Sequence, residues 1–313
     1  MTTSKRTILD AANLWLARCE AEGLERATLR SYRGHVTHHI EPCIGDDSLT
    51  EFTTADVSLF VSAMLKDNSH AMTRKVLISL RSILSEAQML NLVPSNAATA
   101  YKMRRNTRHV AEKVIPTKAE IKLMLENVPD KYRAFLTTAI FTGMRSSELR
   151  GLSWDHVDFE KRVIKVRQRA DRYNALGVPK SRAGRRDIPM SPLVLKTLQA
   201  QLKTAPESPL RLVFPNGVGN IEGHANLYHR VLKPLLLASG IVNAEGKPKF
   251  GLHALRHAAA SLFIEQGWTP KKIQTFLGHA NITMTFDTYG HLFDDGEDDQ
   301  ALMAKLEEDL YAA

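Results

Sequence analysis

The sequence predicts a mainly α-helical protein: an N-terminal helical bundle, then a mixed α/β domain that is mostly helical with a small antiparallel sheet. Three observations favour this fold class. Apolar residues recur at helical spacing over residues 8–92. Pro94 ends that pattern, and residues 101–116 hold five Lys or Arg against one acid, with no sustained apolar period. Apolar and basic residues then alternate over 162–169, as they do in a half-exposed strand.

The N-terminal bundle is predicted from four successive helical segments. One face of the first segment carries four apolar residues, Ile8, Ala12, Trp15 and Cys19. We expect Thr28 to cap a second helix that ends before Pro42. A Thr53-x-x-Asp56 capping box begins the third helix. The fourth covers residues 70–90 and has one apolar stripe along its length.

The second domain is predicted to begin with another capping box, Thr117-x-x-Glu120. A helix over 131–142 should end at Gly143, because glycine suits a left-handed C-terminal cap. Ser191 is placed to cap a further helix. The remaining predicted elements are two strands and three helices, at 162–169, 185–190, 224–238, 252–266 and 270–277.

The charge distribution points to a polyanionic partner. The chain carries a net +8, from 42 Lys and Arg against 34 Asp and Glu. Residues 294–313 hold eight acids and one Lys and so carry −7, which leaves +15 on residues 1–293. A body this basic favours nucleic acid as a partner, although composition alone fits an ordinary basic protein equally well.

Cysteine usage and hydropathy indicate the compartment. Cys19 and Cys43 have no metal-binding or redox spacing, so we interpret them as packing residues in a reducing environment. No apolar run approaches the roughly 18 residues of a membrane span. The first ten residues do not have the pattern of a signal peptide. We therefore expect a cytoplasmic protein without a membrane partner.

Two motifs bring basic side chains onto short helical segments. Arg145 follows a Gly-Met turn, and Glu148 lies three residues later, where it can hold the guanidinium. His253 and Arg256 share one helical face in a second motif. His257 raises the alternative of a zinc site with His253, but no third ligand stands at helical spacing and Arg256 would repel the cation. We interpret His257 as structural.

A third motif and a predicted hairpin complete the set. His279 precedes Tyr289 by ten residues, with a short helix-forming segment between them. The hairpin carries Lys180, for which Lys165 is the main rival lysine. It also carries three arginines that we expect to contact DNA, Arg182, Arg185 and Arg186.

These residue types suit cleavage of a phosphodiester by a protein hydroxyl. The pentacoordinate transition state gains negative charge on its non-bridging oxygens, where Arg145 and Arg256 can supply fixed donors. His253 and His279 can add hydrogen bonds or move a proton. The phenol of Tyr289 needs such a cationic setting to become a competent nucleophile.

The other half of the reaction needs a proton for the leaving 5′-oxygen, and Lys180 is the candidate donor. No Asp/Glu cluster suggests a two-metal nuclease, and no GxxxxGK[ST] motif suggests ATP. We therefore predict neither a metal nor a cofactor. A covalent intermediate would conserve the bond energy, so resealing needs no energy source.

Over residues 117–293 the chain resembles the tyrosine recombinase (phage integrase) family. The resemblance rests on Arg145 in RSSEL, on HALRH from His253 and on LGH followed by Tyr289 in DTYGH. It implies six catalytic residues, supported by Glu148: Arg145, Lys180, His253, Arg256, His279 and Tyr289. It also implies a 3′-phosphotyrosine intermediate and a Holliday junction. The implied partner is double-stranded DNA, bound by a homotetramer that is monomeric when free, with room for an accessory directionality factor.

The resemblance divides the chain into four parts. Residues 1–100 resemble the family's SAM-like core-binding domain, 117–293 form the catalytic domain and 294–313 an acidic tail. The stretch 101–116 becomes a basic linker, and two of its arginines are expected to contact DNA, Arg104 and Arg105. Because the helices begin almost at residue 8, we expect no arm-binding domain of the kind that lambda-like integrases carry.

The acidic tail is predicted to mediate assembly. Leu302, Leu306 and Leu310 lie at i, i+4 and i+8, which puts an apolar stripe on one face of a helix with acids opposite. We expect this face to dock on a neighbouring protomer, and docking on its own domain is the alternative.

The function implied is site-specific DNA recombination of the integrase type. Resolution of replicon dimers by a Xer-like enzyme and strand passage by a type IB topoisomerase-like enzyme are the mechanistic alternatives. A DNA-binding regulator without catalysis is the alternative from another class, but every catalytic residue type is present.

Overall fold

A computed structural model describes residues 6–104, 114–293 and 299–311. The chain divides into two compact units, Met1–Ala111 and Glu112–Ala313. Each unit has a hydrophobic core of its own. Among the described residues, no helix is long and apolar enough to cross a membrane.

The first unit is a bundle of five helices in its described part: α1 (Ile8–Ala21), α2 (Arg26–His35), α3 (Glu41–Ile44), α4 (Thr54–Asp67) and α5 (His70–Met89). The second predicted helix is wrong at both ends. Thr28 lies inside α2, whose N-cap Glu25 makes no side-chain capping bond. A π-helical turn over Val36–Ile40 follows α2 directly and leads into α3, so the helical backbone continues past Pro42 to Ile44. Pro42 is tolerated because it occupies the first turn of α3, where an N–H would have no helical partner.

Capping boxes fix the start of two of these helices. The Thr53 side chain accepts a hydrogen bond from the Asp56 N–H, and the Asp56 carboxylate accepts one from the Thr53 N–H at 2.8 Å. Thr7 and Asp10 make the same exchange at the start of α1. Each box satisfies two backbone donors that a helix start leaves open. The predicted Thr53-x-x-Asp56 box is therefore confirmed.

The core of the first unit forms where α5 packs against α1 and α4. The predicted apolar face of α1 is buried, and the Trp15 ring lies against Tyr32 with centroids 4.7 Å apart. Cys19 packs in this core, as expected, whereas Cys43 is exposed. The interpretation of Cys43 as a packing residue is wrong, because it lies on the outer side of the short helix α3.

The second unit is mostly helical. Its helices are α6 (Lys118–Asn127), α7 (Asp130–Thr142), α8 (Ser146–Arg150), α9 (Pro192–Thr204), α10 (His224–Asn226), α11 (Lys233–Ala238), α12 (Ala254–Glu265), α13 (Pro270–Leu277), α14 (Thr283–Tyr289) and α15 (Asp299–Tyr311). The predicted Thr117-x-x-Glu120 box and the Ser191 cap are both present. The helix predicted over 224–238 occurs in three parts, because a π-helical turn joins α10 to α11.

A small antiparallel sheet accompanies these helices. Its strands are β1 (Val157–Asp158), β2 (Val163–Val166) and β5 (Arg186–Pro189), paired in the order β1-β2-β5 with Ile164 opposite Ile188. A separate hairpin pairs β3 (Arg169–Ala170) with β4 (Leu176–Gly177). The strand predicted at 162–169 is shorter than expected, because the chain leaves the sheet after Val166. The strand β1 was not predicted, since two residues are too few to show alternation.

Helix α7 lies at the centre of the second unit. It packs against both α9 and α12, and its residues from Ala134 to Ile140 are all buried. A helix that is buried on every face belongs inside a core rather than at its surface. The ring of Phe135 meets Phe214 edge to face, with centroids 5.4 Å apart. Helix α7 ends at Thr142, beside the turn at which the candidate site begins.

Candidate active site

The site begins at a tight turn between α7 and α8. Gly143 caps α7 in the left-handed conformation, with φ of 59°. A Cβ at this position would overlap the side chain of Leu277 and press on Ala259. The carbonyl oxygen of Gly143 accepts a hydrogen bond from Arg256 Nη1 at 2.7 Å. Glycine is thus required both for the backbone conformation and for the close approach of α12 and α13.

Helix α8 places the next two residues. Arg145 is its N-cap, and Glu148 accepts a bond from the Arg145 N–H at 2.9 Å. Arg145 Nη1 also donates to Glu148 Oε1 at 2.9 Å. The other terminal nitrogen, Nη2, donates to the carbonyl oxygen of Gly278 at 2.8 Å. The guanidinium of Arg145 is therefore held at both ends, in the orientation that the i, i+3 spacing predicted.

Glu148 is a buried carboxylate between two arginines. Its side chain is 2% exposed, and Arg186 Nη2 donates to Oε2 at 3.0 Å. Burial by itself raises the pKa of the Glu148 carboxyl, but Arg186 and Arg145 outweigh it and the net shift is downward. Glu148 is therefore ionised at neutral pH and balances the positive charge around it.

The prediction that Arg186 contacts DNA is wrong for this structure. Its side chain is 5% exposed. Arg186 Nε donates to the carbonyl oxygen of Phe276 at 2.6 Å, and both terminal nitrogens bind Glu148. Its guanidinium is thus used inside the protein, where it joins β5 to α13 and α8. Arg182 and Arg185, on the same segment, are exposed, as is Arg104, while Arg105 lies outside the described residues.

Arg256 is the most deeply enclosed cation of the site. Its side chain is 3% exposed, and Nη1 is bound by Gly143. Among the described residues, Nη2 has no hydrogen-bond partner. Burial lowers the pKa of Arg256 to about 9, and Arg145 and Arg186 add to the shift, so the group still carries its charge at neutral pH. A buried, charged N–H without a partner is costly, which indicates a place for an anion.

His279 is buried beside these arginines as a neutral ring. Its Nδ1 lies 2.9 Å from the Thr285 hydroxyl, which belongs to α14 and is fully buried. Burial first, and then Arg256 and Arg145, lower the pKa of His279 to about 3. Since Thr285 occupies Nδ1, the Nε2 atom is the one left to face a ligand.

Tyr289 ends α14 and is 1% exposed. Its phenol oxygen lies 2.7 Å from Nδ1 of His257. Burial raises the pKa of Tyr289 to about 12, although the nearby charge of Arg256 acts in the opposite direction. The structure therefore presents the predicted nucleophile as a protonated phenol in contact with a histidine.

His257 has contacts in the structure that the sequence does not predict. The sequence predicts a structural role for it, but in the structure it contacts the phenol oxygen of Tyr289. Its ring also meets the ring of His253 at right angles, with centroids 4.8 Å apart. The available signal was the pair of histidines at i and i+4, which was weighed only as a metal site. No group of three or more His, Cys, Asp or Glu side chains is placed to hold a metal within the described ranges.

Two lysines remain candidates for the proton donor. Lys180 is exposed and lies between β4 and β5 along the chain. Lys165 lies on β2, where its Nζ pairs with Asp158 Oδ2 at 3.2 Å. That ion pair keeps Lys165 at the β1 edge of the sheet, so its ammonium is already used.

A buried arginine anchors the hairpin that precedes Lys180. Arg150, the last residue of α8, is 3% exposed. Its Nη1 donates to the carbonyl oxygen of Asp171 at 3.1 Å, its Nη2 to Asn174, and its Nε to the carbonyl oxygen of Glu222 at 2.6 Å. One short helix thus fixes Arg145 at its start and the β3–β4 hairpin at its end.

The comparisons with known proteins agree in one family. The model of the phage integrase family matches residues 115–295. The XerC-like tyrosine recombinase of Caldanaerobacter subterraneus is 23% identical over 317 residues, which span 91% of this chain and 79% of that protein. The integrase of Streptomyces ambofaciens is 25% identical over 309 residues, spanning 90% and 76%.

Solved structures share the fold. The chain is similar to the Tn1549 transposon integrase in complex with a circular intermediate DNA, with a TM-score of 0.80, 22% identity and coverage of 95% and 98%. A lambda integrase dimer bound to a core site matches with a TM-score of 0.69, 19% identity and coverage of 89% and 97%. The predicted fold class, mainly helical with a small antiparallel sheet, is confirmed.

The central role of Glu148 can be tested by removing its charge. We expect Glu148→Gln to lower the free energy of unfolding by roughly 3–5 kcal/mol at pH 7, because Arg186 would be left buried without a counter-charge. Because folding lowers the pKa of Glu148, its contribution is complete above the unfolded value of about 4.3 and is lost as the pH falls through the folded value. The difference in the free energy of unfolding between wild type and Glu148→Gln should therefore become smaller as the pH falls.

Urea denaturation at pH 7 and at steps towards pH 3 measures both effects. Glu160→Gln is the matched control, since Glu160 is exposed and its loss should change stability by less than about 0.5 kcal/mol. Equal stability of Glu148→Gln and the control would contradict the role given to this carboxylate.

Proposed function

The chain belongs to the phage integrase family, whose model matches more than half of it, and we propose that it cleaves and rejoins DNA with Tyr289 as the nucleophile. It is a tyrosine-type site-specific DNA recombinase, like the relatives named above. The observation that carries the assignment is the buried Arg256, whose Nη2 has no partner among the described residues. A non-bridging oxygen of the scissile phosphate would complete that bond.

The charges of the site match those of the transition state. Arg145 and Arg256 lie close enough to lower the pKa of His279 together. Two fixed guanidiniums and the Nε2–H of a neutral His279 would surround the phosphate oxygens. His253, at the start of α12, is proposed as a further donor to the phosphate. Because these donors are held by the protein before DNA binds, little reorganisation is needed when negative charge develops.

The proposed cleavage step moves one strand of DNA onto the protein. The Tyr289 oxygen attacks phosphorus and loses its proton, and the bond from phosphorus to the 5′-oxygen breaks. The leaving oxygen takes a proton from Lys180 and becomes a 5′-hydroxyl. The product is a 3′-phosphotyrosine, and attack on it by a 5′-hydroxyl of another strand rejoins the DNA. The number of ester bonds is unchanged, so no nucleotide cofactor is consumed.

Exchange between two sites requires more than one protomer. We propose a homotetramer on double-stranded DNA, monomeric when free, that passes through a Holliday junction in the cytoplasm and accepts an accessory directionality factor. One solved relative is described as a lambda integrase tetramer bound to a Holliday junction, which supports this assembly. Exposed Arg104, Arg182 and Arg185 are proposed to contact the DNA backbone.

The acidic tail is proposed to link protomers. On helix α15, Leu306 and Leu310 of the predicted stripe are 59% and 67% exposed, and the nearby Met303 is 62% exposed. The side chain of Leu302 lies outside the described residues. An apolar stripe left this open on a short helix has a natural use in packing against another surface. A neighbouring protomer is the proposed surface, and the helix's own unit is the alternative.

Resolution of replicon dimers remains the second candidate function. It is favoured by one observation, the similarity to the XerC-like recombinase over 91% of this chain. Both functions use the same chemistry, so the predictions below hold for either.

The nucleophile can be tested with a nicked suicide DNA substrate, from which the cleaved strand diffuses away. Wild type should accumulate a covalent protein–DNA adduct on a denaturing gel. Tyr289→Phe should form none, because the attacking oxygen is gone, while it should still bind the DNA. Tyr311→Phe, at a side chain that is 86% exposed, is the matched control and should behave as wild type. An adduct with Tyr289→Phe would refute the assignment.

The proton donor can be tested with a substrate that carries sulfur in place of the leaving 5′-oxygen. Lys180→Ala should cleave ordinary DNA roughly 10²–10⁴ times more slowly, the usual range for a lost general acid. It should recover with the sulfur substrate, because a thiol ionises near 8.5 and leaves without a proton. Lys165→Ala is the matched control and should need no rescue. If Lys165→Ala shows the defect and the rescue instead, the donor is Lys165.

The tail can be tested by assembly. Deletion of residues 297–313, or the paired change Leu306→Ser and Leu310→Ser, should weaken tetramer formation on DNA, because the apolar stripe is removed or made polar. Light scattering of the protein–DNA complexes would report the stoichiometry. Lys305→Ser, elsewhere on α15, is the control. Unchanged assembly in both variants would favour docking of the tail on its own unit.

A further inference from the structure

The phenol proton of Tyr289 needs an acceptor during the proposed cleavage step. The phenol must lose it as the bond to phosphorus forms, and the burial that raises the pKa of Tyr289 to about 12 makes spontaneous ionisation rare. At pH 7 only about one phenol in 10⁵ would be ionised. A base that contacts the oxygen would remove the proton as attack proceeds.

We propose that His257 is a catalytic residue and that its Nδ1 takes the proton of Tyr289 during strand cleavage. The two atoms lie 2.7 Å apart, within the range from which a general base acts. Among the described residues, His257 is the hydrogen-bond partner of this oxygen. The inference rests on the proposed role of Tyr289 as nucleophile.

Four other groups near the phenol are poorly suited to this task. Glu148 is bound by two arginines, and its pKa lies below the usual range. His279 uses Nδ1 for Thr285, and the pKa of its ring is lowered to about 3, so it is a weak proton acceptor. Arg145 and Arg256 are permanent cations at neutral pH.

Helix α12 carries residues that face both reacting groups, the proposed phosphate position and the phenol of Tyr289. Arg256 and His257 are consecutive, so their side chains leave the helix about 100° apart. Arg256 turns towards Gly143 and the proposed phosphate position, while His257 turns towards the end of α14. The perpendicular ring of His253 lies 4.8 Å from the ring of His257 and limits how far it can rotate.

The step balances. Oη of Tyr289 forms a bond to phosphorus, its proton moves to Nδ1 of His257, and the bond from phosphorus to the 5′-oxygen breaks. The proton for that oxygen comes from Lys180. When the strand is rejoined, the protonated His257 returns its proton to the departing phenol, as microscopic reversibility requires.

His257→Asn separates proton transfer from positioning. The Oδ1 of asparagine can stand near the place of Nδ1 and accept the phenol hydrogen bond, but it cannot take the proton. Single-turnover cleavage of the nicked substrate should fall by roughly 10²–10⁴-fold in this variant. His229→Asn, at an exposed histidine of the same unit, is the matched control and should cleave at the wild-type rate.

Two further measurements show whether the slower cleavage by His257→Asn reflects lost proton transfer from Tyr289. The sulfur substrate, which rescues a missing general acid, should not rescue His257→Asn, because the defect lies on the nucleophile. A fluorinated tyrosine introduced at position 289 ionises more easily and should shrink the difference between His257→Asn and wild type. Thermal unfolding and DNA binding should match those of wild type, and His257→Gln gives a second variant if the asparagine is unstable.

The outcomes separate this inference from the proposed function. Wild-type cleavage by His257→Asn would overturn the role of His257 and leave Tyr289 as nucleophile. Rescue by the sulfur substrate, or a defect that fluorination leaves unchanged, would overturn it as well. If wild type itself forms no adduct with DNA, the proposed function fails first.

Discussion

The candidate site depends on one buried carboxylate among several arginines. A phosphate-cleaving centre needs concentrated positive charge, yet Arg145, Arg186 and Arg256 would repel one another in a low-dielectric interior. Glu148 resolves this conflict, since it binds two of the three and lowers the potential at the third. Because Arg186 reaches from β5 to the carbonyl oxygen of Phe276 on α13, the same carboxylate also holds the sheet against the helix that precedes His279. The hydrogen bonds that balance the charges of the site are therefore also the ones that join its secondary-structure elements.

The distribution of roles along the helices follows from that arrangement. Short elements carry the proposed catalytic residues, and they pack around the long buried helix α7. Helix α8 has only five residues, but Arg145 at its start and Arg150 near its end are both tied to distant backbone carbonyls. Helix α12 meets α7 through Gly143, where a side chain would not fit. The side chains of the site are therefore held by hydrogen bonds to backbone carbonyl oxygens, which are less mobile than the ends of flexible side chains.

Much of this could be predicted from the sequence, and the failures have physical causes. Capping boxes at Thr53 and Thr117 are local signals, so the helix starts were placed correctly. The end of the second helix differs from the prediction because a π-helical turn, which has no sequence signature, continues the helix into α3, where Pro42 lies. Arg186 was taken for a DNA contact because a run of basic residues does not say which one turns inward. The contact between His257 and Tyr289 joins two segments 32 residues apart, and only the fold reveals it.

The burial of Tyr289 has a consequence for the proposed covalent intermediate. A side chain that is 1% exposed is shielded from the solvent that surrounds the rest of the protein. If the ester to DNA forms within the same enclosure, hydrolysis has little opportunity to compete with resealing. Premature hydrolysis would turn a reversible intermediate into a permanent strand break. The burial that makes the phenol hard to ionise would therefore also protect the phosphotyrosine from water while a DNA strand is open.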